Sequence, residues 1–204
     1  MITIIDYGLG NVLAFVNVYN RLNIPVVIAK SVRDLANSTK LILPGVGSFD
    51  HAMQQFDKSG MRQHVEQLVL QNSMPVLGIC VGMQMLAKLS EEGTLPGLGW
   101  IDGKVKKFDS SAMPLGSNLP HMGWNDVKPV VDGGLFKGME RDARFYFLHS
   151  YYFECHQQPN VLAVTNYGGQ FNCAVRRDNV YGVQFHPEKS HHFGSQLLRN
   201  FAEV

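Results

Sequence analysis

Short apolar runs alternate with stretches of helical spacing through the first ninety residues. Ile2 to Ile5 is a continuous apolar run of the kind a fully buried strand shows, closed by the turn Tyr7-Gly8-Leu9-Gly10. Asn11 is a helix-capping residue type, and it precedes residues 12–22, where Leu13, Val16 and Val18 recur at roughly helical spacing. Residues 25–29 and 41–43 read as the second and third strands. Residues 61–70 read as a helix with Val65, Leu68 and Val69 on one face. A fourth strand, 75–79, runs straight into a helix over 81–89. Such strand–helix alternation predicts βαβ units, hence a mostly parallel central sheet flanked by helices.

The pattern changes after residue 93. Strand-like pieces follow one another at 105–108, 124–127, 145–153, 161–167, 173–176 and 181–185, with turn signals at Gly133-Gly134 and Gly168-Gly169. This half is expected to form antiparallel hairpins at a sheet edge or a small second sheet. Residues 190–202 close the chain as a helix. No repeat, linker or low-complexity stretch divides the sequence, so residues 1–204 read as one α/β domain.

Composition narrows the function classes. Eighteen Lys and Arg against 17 Asp and Glu leave a net charge of +1, so no electrostatic case exists for nucleic acid or an anionic membrane as partner. Charged residues make up only 17%, which suits a surface partly covered by another protein or simply a well-filled core. Three widely spaced cysteines without a C-x-x-C pair argue against both a disulfide framework and a zinc finger. The N-terminus lacks a secretion pattern, and no apolar run reaches the ~18 residues of a membrane span. A reduced, cytoplasmic protein is expected.

Three segments carry candidate chemistry. In Gly78-Ile79-Cys80-Val81-Gly82-Met83-Gln84 a buried strand ends at a cysteine and a helix begins directly behind it. Free cysteine is often a small core residue, but glycines two positions either side match a nucleophile elbow with cysteine in place of serine. The helix start behind Cys80 favours the thiolate. In Gln184-Phe185-His186-Pro187-Glu188, His186 should emerge at a strand's carboxyl end, where open α/β sheets build their sites. Glu188, two residues on, can turn back to orient the imidazole, which completes a Cys–His–Glu set. In Pro44-Gly45-Val46-Gly47 a strand ends in spaced glycines whose peptide N–H groups can form an oxyanion hole, or merely a tight turn. Gly8-Leu9-Gly10 lacks the third glycine of a dinucleotide fingerprint. His191-His192 has no evident third metal ligand, and the aromatic run 145–153 suits sheet packing better than base stacking.

With those segments in order, the chain resembles the class I (triad) glutamine amidotransferases. Asp6-Tyr7-Gly8-Leu9-Gly10-Asn11, Pro120-His121-Met122-Gly123-Trp124-Asn125, His149-Ser150-Tyr151-Tyr152 and Gln184-Phe185-His186-Pro187-Glu188-Lys189-Ser190 narrow the resemblance to the glutaminase subunits of imidazole glycerol phosphate synthase, over residues 4–203. The resemblance implies a flavodoxin-like fold and hydrolysis of L-glutamine to glutamate and ammonia. Cys80, His186 and Glu188 are then catalytic, Gly45, Val46, Gly47 and Val81 supply the oxyanion hole, and Gln84, Glu92, Ser150 and Tyr151 bind the substrate's amino-acid head. It also implies a heterodimer with a (β/α)8-barrel cyclase that uses the ammonia to make imidazole glycerol phosphate and an aminoimidazole carboxamide ribonucleotide. The contact face maps onto Asn11, Trp124, Tyr146 and Lys189. No metal or organic cofactor is required, because amide hydrolysis here is acyl transfer to a thiol. A relative that aminates a nucleotide sugar, or a catalytically silent binding module, would share much of this pattern.

Overall fold

The computed structural model of the chain describes residues 1–109, 111 and 118–204. Its N-terminal half runs β1 (Ile2–Ile5), α1 (Val12–Arg21), β2 (Val26–Ala29), β3 (Lys40–Gly45), α2 (Phe49–Lys58), α3 (Arg62–Glu66, prolonged by a π-helical turn Gln67–Gln71), β4 (Val76–Cys80) and α4 (Val81–Met85). The C-terminal half adds β5 (Leu89–Ser90), β6 (Gly103–Lys107), β7 (His121–Asp126), β8 (Lys128–Pro129), β9 (Arg144–His149), β10 (Tyr151–Cys155), β11 (Val161–Asn166), β12 (Gln170–Arg177), β13 (Val180–Val183) and α5 (His191–Glu203).

Five parallel strands in the order β2-β1-β3-β4-β13 form the centre of the large sheet. Every residue of β1, β4 and β13 is buried, as expected of strands covered on both faces. The crossover from β1 to β2 runs one way along the sheet and that from β3 to β4 the other. Right-handed connections therefore place α1 and α2 on opposite faces. Tyr19 of α1, fully buried, ties its hydroxyl to the Leu198 carbonyl of α5 and so locks the two helices together. β12, β10 and β6 extend the sheet antiparallel, while β7 and β9 pair separately as a two-stranded ribbon. The antiparallel second half thus forms both a sheet extension and a second sheet.

Three details depart from the sequence pattern. The helix after Cys80 does not reach residue 89: it ends at Met85, because the Leu86 and Ala87 N–H groups tighten onto the carbonyls of Met83 and Gln84 and the Lys88 N–H goes to the Gly103 carbonyl. The carbonyls of Met85, Leu86, Ala87 and Lys88 are taken by the N–H groups of Leu98, Ile101, Gly99 and Gly97. The aromatic run 145–153 is two strands in different sheets, broken at Ser150. Residues 49–58, unassigned by the sequence pattern, form a helix whose buried Phe49, Ala52, Met53 and Phe56 follow helical spacing.

Candidate active site

β3, β4 and β13 lie side by side, with Gly45 in register with Cys80 and Val183 with Ile79. The Pro44–Gly47 turn, Cys80 and the segment after β13 therefore reach one carboxyl edge of the sheet, where such folds bind ligands. Cys80 has φ 55° and ψ −113°, a left-handed conformation that costs a non-glycine residue about 1–3 kcal/mol. Neighbouring glycines make the turn possible. A Cβ on Gly82 would stand 2.0 Å from the Leu43 carbonyl oxygen, and one on Gly78 2.6 Å from that of Gly82. Gly45 lies under the same turn, its missing Cβ 2.4 Å from the Gly82 nitrogen.

Behind Cys80 stands a buried pair. His186 Nδ1 is 2.8 Å from Glu188 Oε1, with both side chains nearly inaccessible. Burial disfavours the imidazolium, but hydrogen bonds to Cys80 and Glu188, reinforced by their charges, outweigh it and push the His186 pKa up to about 10. Nδ1 is committed to the carboxylate, which leaves Nε2 for Cys80. The turn is anchored from outside. Ser190 Oγ donates to the His186 carbonyl and accepts from the Tyr146 amide, and the His186 amide donates to the Tyr146 carbonyl.

A cleft of about 300 Å³ opens on this group, lined by Val46, Gly47, Cys80, Val81, Gln84, Glu92, Ser150, Tyr151 and His186 among others. Every residue expected in the substrate site reaches it; Gly45 does not, being spent on the close contact with α4. Gln84 Nε2 donates to the Tyr151 carbonyl and to Gln184 Oε1, so both its hydrogens are used and Oε1 is the atom left for a ligand. Glu92 accepts the Phe49 amide at the start of α2; its partial burial, together with the Asp50 charge, raises its pKa against that hydrogen bond. A half-buried carboxylate at the cleft wall suits an ammonium group. Pro120, Leu148, His149 and Lys189 also line the cleft, and Gln184, fully buried, directs Nε2 to Cys80 Sγ at 3.7 Å. Sequence spacing marks none of these five for the cleft itself. A larger cleft of about 460 Å³ between Asp126, Lys128, Glu140, Arg144 and Gln170 holds no cysteine, serine or histidine.

Of the four residues expected on a partner face, three gather. Trp124 and Tyr146 are directly paired across β7 and β9 with ring centroids 6.3 Å apart, and Lys189 Nζ lies 5.7 Å from the Tyr146 ring. Trp124 is 43% exposed, too open for a core aromatic. Asn11 is exposed and caps α1 through the Ala14 amide. His191 packs on Trp124 and His192 on Phe193, so the two histidines point to different neighbours.

Two outcomes follow from this geometry. An electrophilic glutamine analogue will alkylate Cys80 and spare Cys155 and Cys173. Burial pushes the Cys173 thiol far up and the half-buried Cys155 thiol up as well, and neither faces the cleft. Peptide mapping that finds label on either would count against the elbow. On the glutaminase chemistry that the resemblance implies, Glu188→Gln will slow glutamine turnover by about 10²-fold and His186→Ala by about 10⁴-fold. In that chemistry His186 would move protons, whereas Glu188 holds Nδ1, and Gln can still offer an oxygen there. Among the described residues Glu188 Oε2 has no partner, so an amide nitrogen placed there would gain no acceptor. Equal, unimpaired rates for parent and Glu188→Gln would reduce the triad to a dyad.

Residues 3–204 match the family described as glutamine amidotransferase class-I. The chain is 62% identical to the imidazole glycerol phosphate synthase subunit HisH of Bdellovibrio bacteriovorus and 53% identical to that of Leptospira interrogans, in each case over the whole of both chains. Among solved structures, a glutamine amidotransferase superposes with a TM-score of 0.75 at 21% identity, covering 99% of this chain and 97% of the other. PurLQS from Thermotoga maritima gives 0.75 at 15% with the same coverage. At those identities the structural likeness speaks for the fold.

Proposed function

This chain belongs to the class-I glutamine amidotransferase family, and on that premise we propose that it is the glutaminase subunit of an imidazole glycerol phosphate synthase, acting in histidine biosynthesis. One observation carries the chemistry. A cysteine held in a left-handed elbow stands within hydrogen-bonding reach of a histidine whose other nitrogen is fixed by a buried glutamate.

The reaction follows from that arrangement. Cys80, as thiolate, attacks the side-chain amide carbon of glutamine while Glu92 and Oε1 of Gln84 hold the amino-acid head against the Ser150–Tyr151 wall. Negative charge collects on the amide oxygen, where peptide N–H groups of the Val46–Gly47 turn and of Val81 stabilise it. His186 protonates the departing nitrogen, so ammonia leaves and a glutamyl thioester remains. Water, deprotonated by His186, then cleaves the thioester to glutamate and restores Cys80. Glu188 keeps Nδ1 protonated and stabilises the imidazolium.

The partner is a (β/α)8-barrel cyclase, docked on the face of Trp124, Tyr146 and Lys189 with Asn11 at its margin. An exposed tryptophan backed by an aromatic and a cation is the usual make-up of an interface anchor. Ammonia is volatile and basic, so the cleft must open towards that partner and away from water. Residues 1–204 then act as one amidotransferase domain. Among the described residues no helix is long and apolar enough to cross a membrane, and the proposed role in histidine biosynthesis is one that a cytoplasmic complex would perform.

The deciding experiment is co-purification with a (β/α)8-barrel cyclase from the same organism, followed by glutamine-dependent synthesis assays. Turnover with the imidazole glycerol phosphate precursor is expected. Turnover only with a nucleotide sugar would move the same chemistry to another pathway.

A further inference from the structure

His121 and His149 face each other across the β7–β9 ribbon, both buried, with His121 Nδ1 2.9 Å from His149 Nε2. The chain of contacts has only one consistent direction. The Tyr151 carbonyl can only accept, so His149 Nδ1, 2.7 Å away, must carry a proton and donate it. A neutral His149 then has Nε2 as acceptor, which requires the proton of His121 on Nδ1. His121 Nε2 is left as an acceptor, and Asn125 Nδ2 supplies a hydrogen at 3.2 Å while giving its other to the Asn166 carbonyl. Every position in the series is filled, and a proton added anywhere would set two donors against each other.

The series ends in the cleft. Tyr151 and its neighbours Ser150 and His149 line it, and the same carbonyl accepts from Gln84, which passes on to Gln184 and so to Cys80 Sγ. Its other end lies on β7, the strand that carries exposed Met122 and Trp124. The His121 ring is stacked between Tyr167 at 4.0 Å and Phe147 at 4.7 Å, both nearly parallel to it, which holds its plane, while the contacts to His149 and Asn125 fix which nitrogen faces which.

We propose that His121 and His149 form a one-way hydrogen-bond relay from Asn125 to the Tyr151 carbonyl, and that this relay positions the Ser150–Tyr151 wall of the glutamine cleft. Neither ring touches the reacting atoms; both are positioning residues. Burial depresses both pKa values, to about 4 for His121 and about 3 for His149, where His121 and His186 add to burial and the Tyr151 carbonyl opposes it. Both rings are therefore neutral at neutral pH, as the relay demands. The inference rests on the glutaminase reading for what the wall binds, but not for the relay's direction.

Two substitutions separate a relay from a merely structural pair. His121→Phe keeps the stacked ring and removes the donor; His121→Asn keeps a donor near the Nδ1 position and loses the stacking. If His121 only filled the core, Phe would be the milder change. The relay predicts the reverse in catalysis. In the complex with the barrel subunit, His121→Phe will raise KM for glutamine about tenfold with kcat changed much less, since the wall binds glutamine and the triad is untouched. His121→Asn will stay within about threefold of the parent KM although it melts at a lower temperature. A Phe variant kinetically equal to the parent, or an Asn variant with the larger KM, overturns the positioning role.

The direction of the relay is read separately in the full chain labelled with ¹⁵N-histidine. Long-range ¹⁵N–¹H spectra at neutral pH will show both rings protonated on Nδ1 alone, and in His121→Phe the His149 proton will stay on Nδ1, held by the Tyr151 carbonyl, while the Nε2 signal moves as its donor is lost. A proton on Nε2 of either ring in the parent overturns the relay even if glutamine is turned over normally. The expected tautomers in a chain that hydrolyses no glutamine in any complex would instead strike the glutaminase reading.

Discussion

Cys80→Ser and Cys80→Ala will abolish synthesis driven by glutamine, by about 10⁴-fold or more, and leave synthesis driven by added ammonium in the assembled complex. On the proposed function Cys80 supplies only the nucleophile that releases ammonia, and the acceptor chemistry belongs to the partner. Serine differs from cysteine by one atom at an elbow whose strain comes from φ 55°, not from the sulfur, so the turn survives the change. A hydroxyl is hardly ionised near neutral pH and His186 must then remove a far less acidic proton, so the rate collapses although the geometry holds. Parallel assays with glutamine and with ammonium on one preparation check this. Loss of both activities in an intact complex would sink the division of labour between the subunits.

The second large effect is activation by the partner. The isolated chain will hydrolyse glutamine very slowly, and the barrel subunit with its acceptor bound will raise kcat by about 10²–10³-fold while KM changes far less. The reason lies at the end of β3. Tyr7 donates its hydroxyl to the Pro44 carbonyl at 2.6 Å, and Gly45 is wedged against Gly82, so the strand is pinned up to that point. Freedom begins immediately after. Val46 is 40% exposed, and Gly47 has φ +86° with nothing within 4 Å of the Cβ position. A peptide between a pinned glycine and an unhindered one can rotate at small cost, so its N–H need not face the cleft at rest. An oxyanion donor acts on charge that appears only in the transition state, hence the expected effect on kcat. Steady-state kinetics on the chain, the complex and the complex with acceptor test it. Full activity in the isolated chain would refute gating, and activation confined to KM would indicate an oxyanion hole already formed and a glutamine pocket completed by the partner.

The residue pattern alone specifies the central sheet, because β1, β4 and β13 are buried on both faces and such strands must be continuous apolar runs. It determined the elbow for a similar reason. Gly78 and Gly82 flank Cys80 where any side chain would strike backbone, and that requirement is local to the turn. The bond from His186 to Glu188 was also within reach, since only Pro187 separates the partners. Other features depended on contacts between segments far apart in the chain. The helix after Cys80 stops at Met85 because the Lys88 N–H is claimed by the Gly103 carbonyl and the carbonyls of residues 85–88 by residues 97–101, and no local propensity encodes that competition. The aromatic stretch 145–153 has strand character throughout, yet its two halves belong to different sheets, and the break at Ser150 brings the cleft wall to Cys80. Gln184 and the His121–His149 pair were least legible. A buried polar side chain is distinguished from an ordinary surface one only by the partners that satisfy it, and those partners lie 104 residues away for Gln184 and 28 for His149. Local sequence sets backbone shape over a few residues; only the folded chain decides which donor meets which acceptor across that distance.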